Sequence, residues 1–143
     1  MIHGWPFSDF EILCWIDNPN LIGFIVILDS SEFISLDQPP EDGPKLPFTV
    51  NGHSMVQVDS TSIYLIGGYQ DNKLSEKTWI IDAKNNFAIK EGPPMNHSRL
   101  CHSCATMRLN NKVFIIVVGD RTHRSHTEIL DTSLPTNKWK PGK

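Results

Sequence analysis

Residues 63–82, IYLIGGYQDNKLSEKTWIID, decide the fold of this chain. The stretch opens with a short run of β-forming residues, and a second run of β-branched and aromatic residues at 78–81 leads into Asp82. Gly67 and Gly68 stop the first run, because paired glycines permit positive φ or the close approach of another backbone. The residues between the two runs are mostly polar and show no apolar periodicity. The stretch therefore predicts a strand, a loop and a second strand.

The rest of the chain has the same character, with short β-rich runs separated by turn residues. The clearest runs lie at 10–15 (FEILCW), 21–28 (LIGFIVIL) and 113–118 (VFIIVV), and shorter ones lie at 32–36 and 102–109. No window of a dozen residues shows the 3.6-residue period of an amphipathic helix. Many short strands between turn signals predict an all-β protein.

The strand pair at 63–82 is repeated along the chain. Each repeat has an acid at the end of its later strand: Asp82 follows Asp29 by 53 residues, and Asp131 follows Asp82 by 49. His53 and His102 also lie 49 residues apart. An aromatic residue follows each acid after a polar turn, namely Phe33, Phe87 and Trp139. A period near fifty residues indicates stacked β-units of four strands.

At this point the chain resembles the kelch repeat family. Three features carry the resemblance: the apolar strand with its glycine pair, the strand end Ile81-Asp82 with the aromatic that follows, and the connector Pro93-Pro94-Met95…Arg99…His102-Ser103. The resemblance covers roughly residues 10–140. It implies an all-β fold of kelch-type β-propeller blades, with about three four-stranded units in an open or partial propeller.

The chain also departs from the kelch pattern. Leu28, Ile81 and Leu130 replace the tyrosine that usually precedes the acid. Cys14-Trp15 and Val118-Gly119 replace the glycine pair in the first and third units, and this alignment places Gly119 on the strand end occupied by Gly68. We therefore expect the fold of the family rather than an inherited binding specificity.

The repeat divides the chain into three units. Residues 1–47 are expected to form a degenerate or partial first blade with a proline-rich connector, residues 48–96 a kelch repeat, and residues 97–143 a divergent kelch repeat. Propellers have about four to eight blades, and an open arc leaves apolar sheet faces exposed. We therefore expect this chain to be a fragment of a longer propeller or to self-associate.

Repeated positions are interpreted as structural. The matching positions of His53 and His102 predict a shared role, such as a hydrogen bond at the start of a blade's first strand, rather than catalysis or metal binding. Trp79 is expected to pack between blades. The positions assigned to the structural motif are Gly67, Gly68, Asp82, Phe87, His53, His102, Gly119, Asp131 and Trp139.

The loops between the second and third strands are the candidate binding site. In the kelch family these loops often help to form the binding face, and here the later one carries a basic cluster. Because arginine forks suit carboxylate recognition, a protein partner with an acidic segment is the candidate ligand; a solvated polar loop is the alternative. The candidate residues are Tyr69, Gln70, Asp71, Asn72, Lys73, Arg121, His123, Arg124 and His126.

Composition argues against several classes of function. The 143 residues include 13 basic and 16 acidic ones, with a net charge of −3, so nucleic acid and anionic membranes are not the expected partners. No apolar run reaches the roughly 18 residues of a membrane span, and the first residues lack a secretory pattern. The three cysteines cannot all pair with one another, which favours a reducing, intracellular and cytoplasmic location.

The segment Cys101-His102-Ser103-Cys104 invites a metal or redox interpretation. Two cysteines three residues apart can chelate zinc, but the chain has no second pair to complete four ligands. On an extended strand the two thiols would also point to opposite faces. We therefore interpret the segment as the opening of a strand with buried thiols, and we expect no metal and no cofactor.

The resulting interpretation is a protein–protein interaction module built of kelch repeats, and not an enzyme. The resemblance implies substrate recognition for a cullin-type ubiquitin ligase or actin-associated scaffolding. The sequence contains no nucleophile elbow, P-loop, zinc-protease or dinucleotide fingerprint. Two alternatives remain open: a fragment of a kelch-type enzyme, such as an oxidase or isomerase, and a degenerate fragment without independent function.

Overall fold

Every regular element in the described part of the chain is a β-strand, and every strand pair is antiparallel. The expected all-β class is therefore confirmed. Within the described part, no helix is long and apolar enough to cross a membrane. The chain divides into two compact units, Met1–Thr49 and Val50–Lys143. The computed structural model describes residues 10–15, 24–29, 46–48, 50–121 and 126–142.

The first unit contributes one described strand pair. Strand β1 (Phe10–Trp15) runs antiparallel to β2 (Phe24–Asp29). The strand expected at 10–15 is confirmed, and the run expected at 21–28 is a strand from Phe24 onward. The short strand expected at 32–36, with Phe33, lies outside the described residues.

The second unit contains two four-stranded sheets and one small sheet. Its strands are β3 (Val50–Asn51), β4 (Ser54–Gln57), β5 (Ser62–Ile66), β6 (Tyr69–Gln70), β7 (Lys73–Leu74), β8 (Thr78–Asp82), β9 (Ala88–Glu91), β10 (Ser103–Leu109), β11 (Lys112–Val118), β12 (Thr127–Asp131) and β13 (Lys140–Pro141). The first sheet has the order β4-β5-β8-β9, the second has the order β10-β11-β12-β13, and the small sheet has the order β3-β6-β7.

The repeated acids occupy one position of a common strand register. Each acid ends its strand opposite an equivalent residue of the preceding strand. The three pairs are Asp29 with Phe10, Asp82 with Ser62, and Asp131 with Phe114. The same register extends through both four-stranded sheets of the second unit, so the backbone pairing there contains the repeat that Asp82 and Asp131 indicated.

The register corrects the sequence alignment of the glycines by one residue. Ile66 lies opposite Ser54 as Val118 lies opposite Ser103. Gly119 therefore corresponds to Gly67, and not to Gly68 as the alignment placed it. The alignment was anchored on glycine alone, and only one glycine of the pair has a counterpart in the later unit.

The main core lies between the two four-stranded sheets. The first sheet contributes Tyr64 and Ile66 to it, and the second contributes Ile115, Val117 and Leu130. Because side chains alternate along a strand, these residues form one face of each sheet. Each such side chain contributes about 1.5–3 kcal/mol through burial. The packing of two apolar faces thus joins the sheets into one unit.

Strand β5 is buried on both of its faces. Tyr64 and Ile66 face the second sheet, while Ile63 and Leu65 alternate with them and are 2% and 0% exposed. A strand covered on both sides must be apolar at consecutive positions. This burial explains why the run IYLI lacks the alternation of a half-exposed strand.

The aromatic residues that follow Asp82 and Asp131 have different roles. Trp139 is buried in the core, and its Nε1 donates a hydrogen bond to the Pro93 carbonyl at 2.9 Å. Phe87 lies in the turn before β9, is partly exposed and has φ of 55°. Continuing the strand register places Ile89, not Phe87, at the position of Trp139. The sequence correspondence of Phe87 with Trp139 is therefore wrong.

The acids themselves stabilise the turns that follow their strands. Asp82 Oδ1 accepts hydrogen bonds from the backbone amides of Lys84 at 3.1 Å and Asn85 at 3.3 Å. Asp131 Oδ1 accepts one from the Ser133 amide at 2.9 Å. Aspartate commonly closes turns in this way. The repeated acid is thus a structural residue at Asp82 and Asp131.

Gly67 and Gly68 permit a close approach that no other residue would allow. Both have positive φ, 61° and 89°. A Cβ at Gly67 would lie 2.9 Å from His102 Cε1 and 3.1 Å from the Arg99 carbonyl, and one at Gly68 would lie 2.6 Å from the Asn51 carbonyl. The glycine pair therefore serves the fold.

We predict that Gly67→Ala destabilises the protein much more than Gly119→Ala. Both glycines have positive φ, but a Cβ at Gly119 would meet no atom within 4 Å. Backbone strain alone should cost Gly119→Ala about 1 kcal/mol, and the added clash should bring Gly67→Ala to about 3 kcal/mol. Urea unfolding followed by tryptophan fluorescence measures both. Equal losses would show that the clash at Gly67 is relieved.

Candidate functional site

The loops that the sequence analysis proposed for partner binding lie at one end of the strands of the two four-stranded sheets. Strands β5 and β11 end there, and β8 and β12 begin there. The loop 67–77 and the loop that starts at residue 119 therefore leave the two sheets at the same end. The connector 92–102 between the sheets also lies there. We call the described surface at 67–77, 92–102, 119–121 and His126 the loop face.

Backbone hydrogen bonds fix the connector to the first loop. The Gly68 amide donates to the Arg99 carbonyl at 2.7 Å, and the Arg99 amide donates to the Ser75 carbonyl at 3.2 Å. The Met95 amide donates to the Glu76 carbonyl at 2.8 Å. Because these bonds join backbone to backbone, the first loop is held in place whatever its exposed side chains are.

The connector is held to the second loop as well. The Leu100 amide donates to Asp120 Oδ1 at 3.1 Å, and the Arg121 amide donates to the Leu100 carbonyl at 3.0 Å. On its other side the Cys101 amide donates to the Gly52 carbonyl at 2.8 Å. The connector thus positions both loops relative to each other.

The first candidate loop is a β-hairpin with a buried anchor. Asp71 and Asn72 have φ of 44° and 65°, as expected of a tight two-residue hairpin turn. Gln70 is 7% exposed; its Nε2 donates to the Gly67 carbonyl at 2.9 Å, and its Oε1 accepts from Trp79 Nε1 at 3.1 Å. The predicted partner residue Gln70 is therefore an internal support of the hairpin and does not reach a partner.

The remaining residues of this hairpin are exposed. Tyr69 lies directly opposite Leu74, and the two side chains are 37% and 42% exposed. Asp71, Asn72 and Lys73 are also exposed. An exposed aromatic–aliphatic pair on a rigid hairpin is a suitable protein contact. The sequence interpretation missed Leu74, although a leucine inside a polar loop was the available signal.

Trp79 supports the hairpin and not the contact between the two four-stranded sheets. Ile80 packs against the main core, so its neighbours Trp79 and Ile81 point to the opposite face of the first sheet. Lys77 Nζ lies 5.2 Å from the centre of the Trp79 ring. Trp79 therefore lies on the face of the first sheet that points away from the second sheet, and its expected packing between blades stays a prediction.

The described part of the second candidate loop contains the exposed Arg121 and a histidine stack. Arg121 and His126 are exposed, whereas His123 and Arg124 lie outside the described residues. The His126 ring stacks on His97 of the connector, with centroids 4.8 Å apart and an interplanar angle of 13°. His97 was not among the sequence candidates, because nothing local indicates that residues 29 positions apart meet.

Beneath this stack lies a buried ion pair. The side chains of Arg99 and Glu128 are each 1% exposed, and Arg99 Nη2 donates to Glu128 Oε1 at 2.9 Å. Arg99 Nη1 also donates to the carbonyls of Gly119 at 2.8 Å and His126 at 2.6 Å. Arg99 therefore ties the connector to both ends of the second loop.

Glu128 is the acceptor at the centre of this network. Its Oε2 accepts hydrogen bonds from the Asn96 amide at 2.8 Å and from Asn96 Nδ2 at 2.7 Å, while His97 Nδ1 lies 3.4 Å from Oε1. Burial alone would raise the pKa of Glu128, but the hydrogen bonds from Asn96 and Arg99 and the arginine charge hold it below its ordinary value. Glu128 is thus a charged structural residue.

The repeated histidines lie where the two first strands begin. His53 precedes β4 and His102 precedes β10. The Ser54 hydroxyl donates to the His102 carbonyl at 2.7 Å. Burial, followed by the Arg99 charge, lowers the pKa of His102 to about 4, and burial lowers that of His53 likewise to about 4. The ring of His102 is buried beside Gly67.

Cys101 and Cys104 have different surroundings. Cys101 is exposed and has φ of 54°, so the expectation of a buried thiol there is wrong. Cys104 lies on β10 against the core, and burial raises the pKa of its thiol to about 12. Within the described ranges, no group of three or more histidine, cysteine or acidic side chains could hold a metal ion.

Comparison with known proteins does not extend this description. A scan against protein-family models gives no match for the chain, and a search of curated proteins gives none either. Any assignment of function therefore depends on the sequence motifs and on the geometry of the loop face.

Proposed function

We propose that this chain is a kelch-type β-propeller segment that acts as a protein–protein interaction module through its loop face. The observation that carries the proposal is that the two four-stranded sheets have the same strand register. Their loops lie at the same end of the strands and are bonded to one connector. This arrangement is what a scaffold for binding loops requires, because rigid strands hold loops that are free to vary.

The internal bonds that support the loop face favour a binding role. Partner binding is favoured when the contact residues are ordered beforehand, since less conformational entropy is lost. The buried pair Arg99–Glu128 and the support of Gln70 by Trp79 order the loop face without using its exposed side chains. Tyr69, Leu74 and Arg121 are left to contact a partner.

The chemistry of these residues defines the partner that we propose. Tyr69 and Leu74 would contact an apolar side chain, and Arg121 would bind a carboxylate beside it. The partner is therefore a protein segment with an apolar residue near an acid. By the kelch resemblance, such a segment belongs to the substrate of a cullin-type ubiquitin ligase or to an actin-associated assembly, in an intracellular setting.

The proposal predicts that a photo-crosslinker at Tyr69 captures a defined protein from cell lysate. The same protein should be lost when Leu74→Ala and Arg121→Glu are added, because the apolar contact and the charge pair are both removed. Each such contact typically contributes about 1–2 kcal/mol, so the pair should weaken capture at least tenfold. Mass spectrometry of the crosslinked species is the measurement.

A matched control is available at the opposite end of the strands. Leu134 is 58% exposed in the turn after β12, away from the loop face. A crosslinker at Leu134 should not capture this protein, and Leu134→Ala should not reduce its capture at Tyr69. Equal capture from both positions would show that the loop face is not the binding surface.

A further inference from the structure

Strand β7 of the hairpin at the loop face is an outer strand of the small sheet, because β6 lies between it and β3. The Ser75 amide donates to the Gly68 carbonyl at 2.9 Å, and hydrogen-bonded pairs alternate along an antiparallel ladder. Leu74, one residue closer to the turn, therefore directs its amide and its carbonyl away from β6. Within the described part of the chain, no backbone group of another element bonds to them.

The same edge already accepts a backbone two residues further along the chain. Directions alternate along an extended chain, so Glu76 faces outward as Leu74 does, while Ser75 between them faces β6. The Glu76 carbonyl accepts a hydrogen bond from the Met95 amide of the connector at 2.8 Å. Among the described residues, the connector thus fills the outward position at Glu76 and leaves the one at Leu74 open.

The side chains beside the open position define what a neighbouring strand would carry. Leu74 is 42% exposed and lies opposite Tyr69, which is 37% exposed. Lys73 is exposed as well and points to the other face of β7. Apolar pairs and pairs of opposite charge stabilise adjacent strands. A strand beside β7 would therefore have an apolar residue opposite Leu74 and an acidic residue next to it, opposite Lys73.

We propose that an extended segment of the partner protein adds to the edge of β7 as a short antiparallel strand. One residue of the segment bonds through its own amide and carbonyl to those of Leu74, as in other cases of strand addition. Its acidic neighbour pairs with Lys73, in addition to the carboxylate that Arg121 would bind. This inference rests on the proposed function, because it specifies how the loop face would hold its partner.

A second copy of this chain does not fit the open position. Two copies paired through their Leu74 backbones in an antiparallel arrangement would place Asn72 of each beside Glu76 of the other. The connector already occupies that position through the bond from Met95. A flexible segment can leave the edge after one residue, whereas the hairpin of a second copy cannot. The occupant is therefore an extended segment of a different protein.

The test begins with peptides selected on the full chain. A displayed library of short random peptides is panned against it, and the affinity of each selected peptide is measured. Peptides bound at the loop face are those that bind at least about tenfold more weakly to a chain with both Leu74→Ala and Arg121→Glu. We expect these peptides to contain an apolar residue directly beside an acid.

The backbone bond is then removed without changing a side chain. Leucic acid, the hydroxy-acid analogue of leucine, replaces the Leu74 amide by an ester, so the outward N–H is lost. We expect the selected peptides to bind at least about fivefold more weakly, as for a lost hydrogen bond. The same replacement at Leu134, which is 58% exposed and lies away from the loop face, is the matched control and should leave binding unchanged.

Hydrogen exchange of the Leu74 amide is a second measurement. It uses the unmodified chain, so it does not depend on how the ester affects the hairpin. A bound peptide should slow exchange of this amide at least about tenfold, as for an amide that enters a β-ladder. Nuclear magnetic resonance resolves the exchange of this single amide.

The outcomes separate strand addition from the proposed function. If peptides sensitive to Leu74→Ala with Arg121→Glu bind the ester chain at full strength, or leave the Leu74 amide unprotected, strand addition is wrong and the loop face remains a binding surface. If panning yields no peptide that is sensitive to this double change, the proposed function is contradicted and strand addition is rejected with it.

Discussion

Replacing Arg99 with alanine is expected to lower the free energy of unfolding by about 3–5 kcal/mol, the typical cost of leaving one member of a buried ion pair alone. Glu128 would keep the hydrogen bonds from Asn96 but lose its only guanidinium contact among the described residues. Two loop carbonyls would also lose their donor. Because a domain of this size has a total stability of about 5–15 kcal/mol, a large fraction of it would disappear. Urea unfolding of the wild-type protein and of Arg99→Ala measures this loss in the free energy of unfolding.

The companion variants separate the charge from the packing. Glu128→Gln preserves the shape of the side chain but leaves the guanidinium without a counter-ion, so a loss of similar size is expected. The double change Arg99→Met with Glu128→Leu should cost less than the sum of the two single changes, because it leaves no buried charge unpaired. A loss below about 1 kcal/mol for Arg99→Ala would mean that the pair is not buried in solution.

Stability is expected to fall steeply between pH 6.5 and pH 4.5 because of His53 and His102. Both histidines have an ordinary pKa of 6.5 that is lowered to about 4 in the folded protein, chiefly by burial. The unfolded chain therefore binds more protons than the folded one in this range. The stability that the neutral rings contribute is complete above pH 6.5 and is lost as the pH falls towards 4. The expected loss at pH 4.5 is about 2–3 kcal/mol per histidine.

A non-titrating side chain tests this assignment. His102→Gln cannot gain a proton, so it should remove about half of the difference in unfolding free energy between pH 7 and pH 4.5. Glu128 does not confuse the measurement, because its pKa is held below its ordinary value and its contribution is lost only at still lower pH. An unchanged free energy of unfolding between pH 7 and pH 5 would contradict the prediction for the wild-type protein.

Much of the backbone could be predicted from local sequence. The runs IYLI and VFIIVV are strands because β-branched and aromatic residues fit a buried sheet, and a glycine follows each of them. The repeat of the acids at 29, 82 and 131 was visible because each acid directly follows a run of β-forming residues. Phe87 and Trp139 misled the alignment because an aromatic residue two positions away from the equivalent site satisfies the same coarse pattern.

The candidate site could be predicted only in part. Exposed Tyr69 and Arg121 lie on the loops that the repeat singled out. Gln70 looks like its neighbours in the sequence, and only its bonds to Gly67 and Trp79 show that it is buried. Glu128 was missed because its partner Arg99 lies 29 residues away in the chain. A carboxylate within a strand next to buried residues was the one local signal.

The sequence by itself determined that the chain forms short antiparallel strands in a repeated unit, because strand propensity, glycine and turn-forming acids act on neighbouring residues. Only the tertiary structure decided which faces are covered, that Glu128 meets Arg99, and that Gly119 matches Gly67 while its surroundings stay open. These depend on register, and a shift of one residue exchanges the two faces of a strand. Residues 63–82 therefore specify a sheet element, and its packing partners specify what that element can bind.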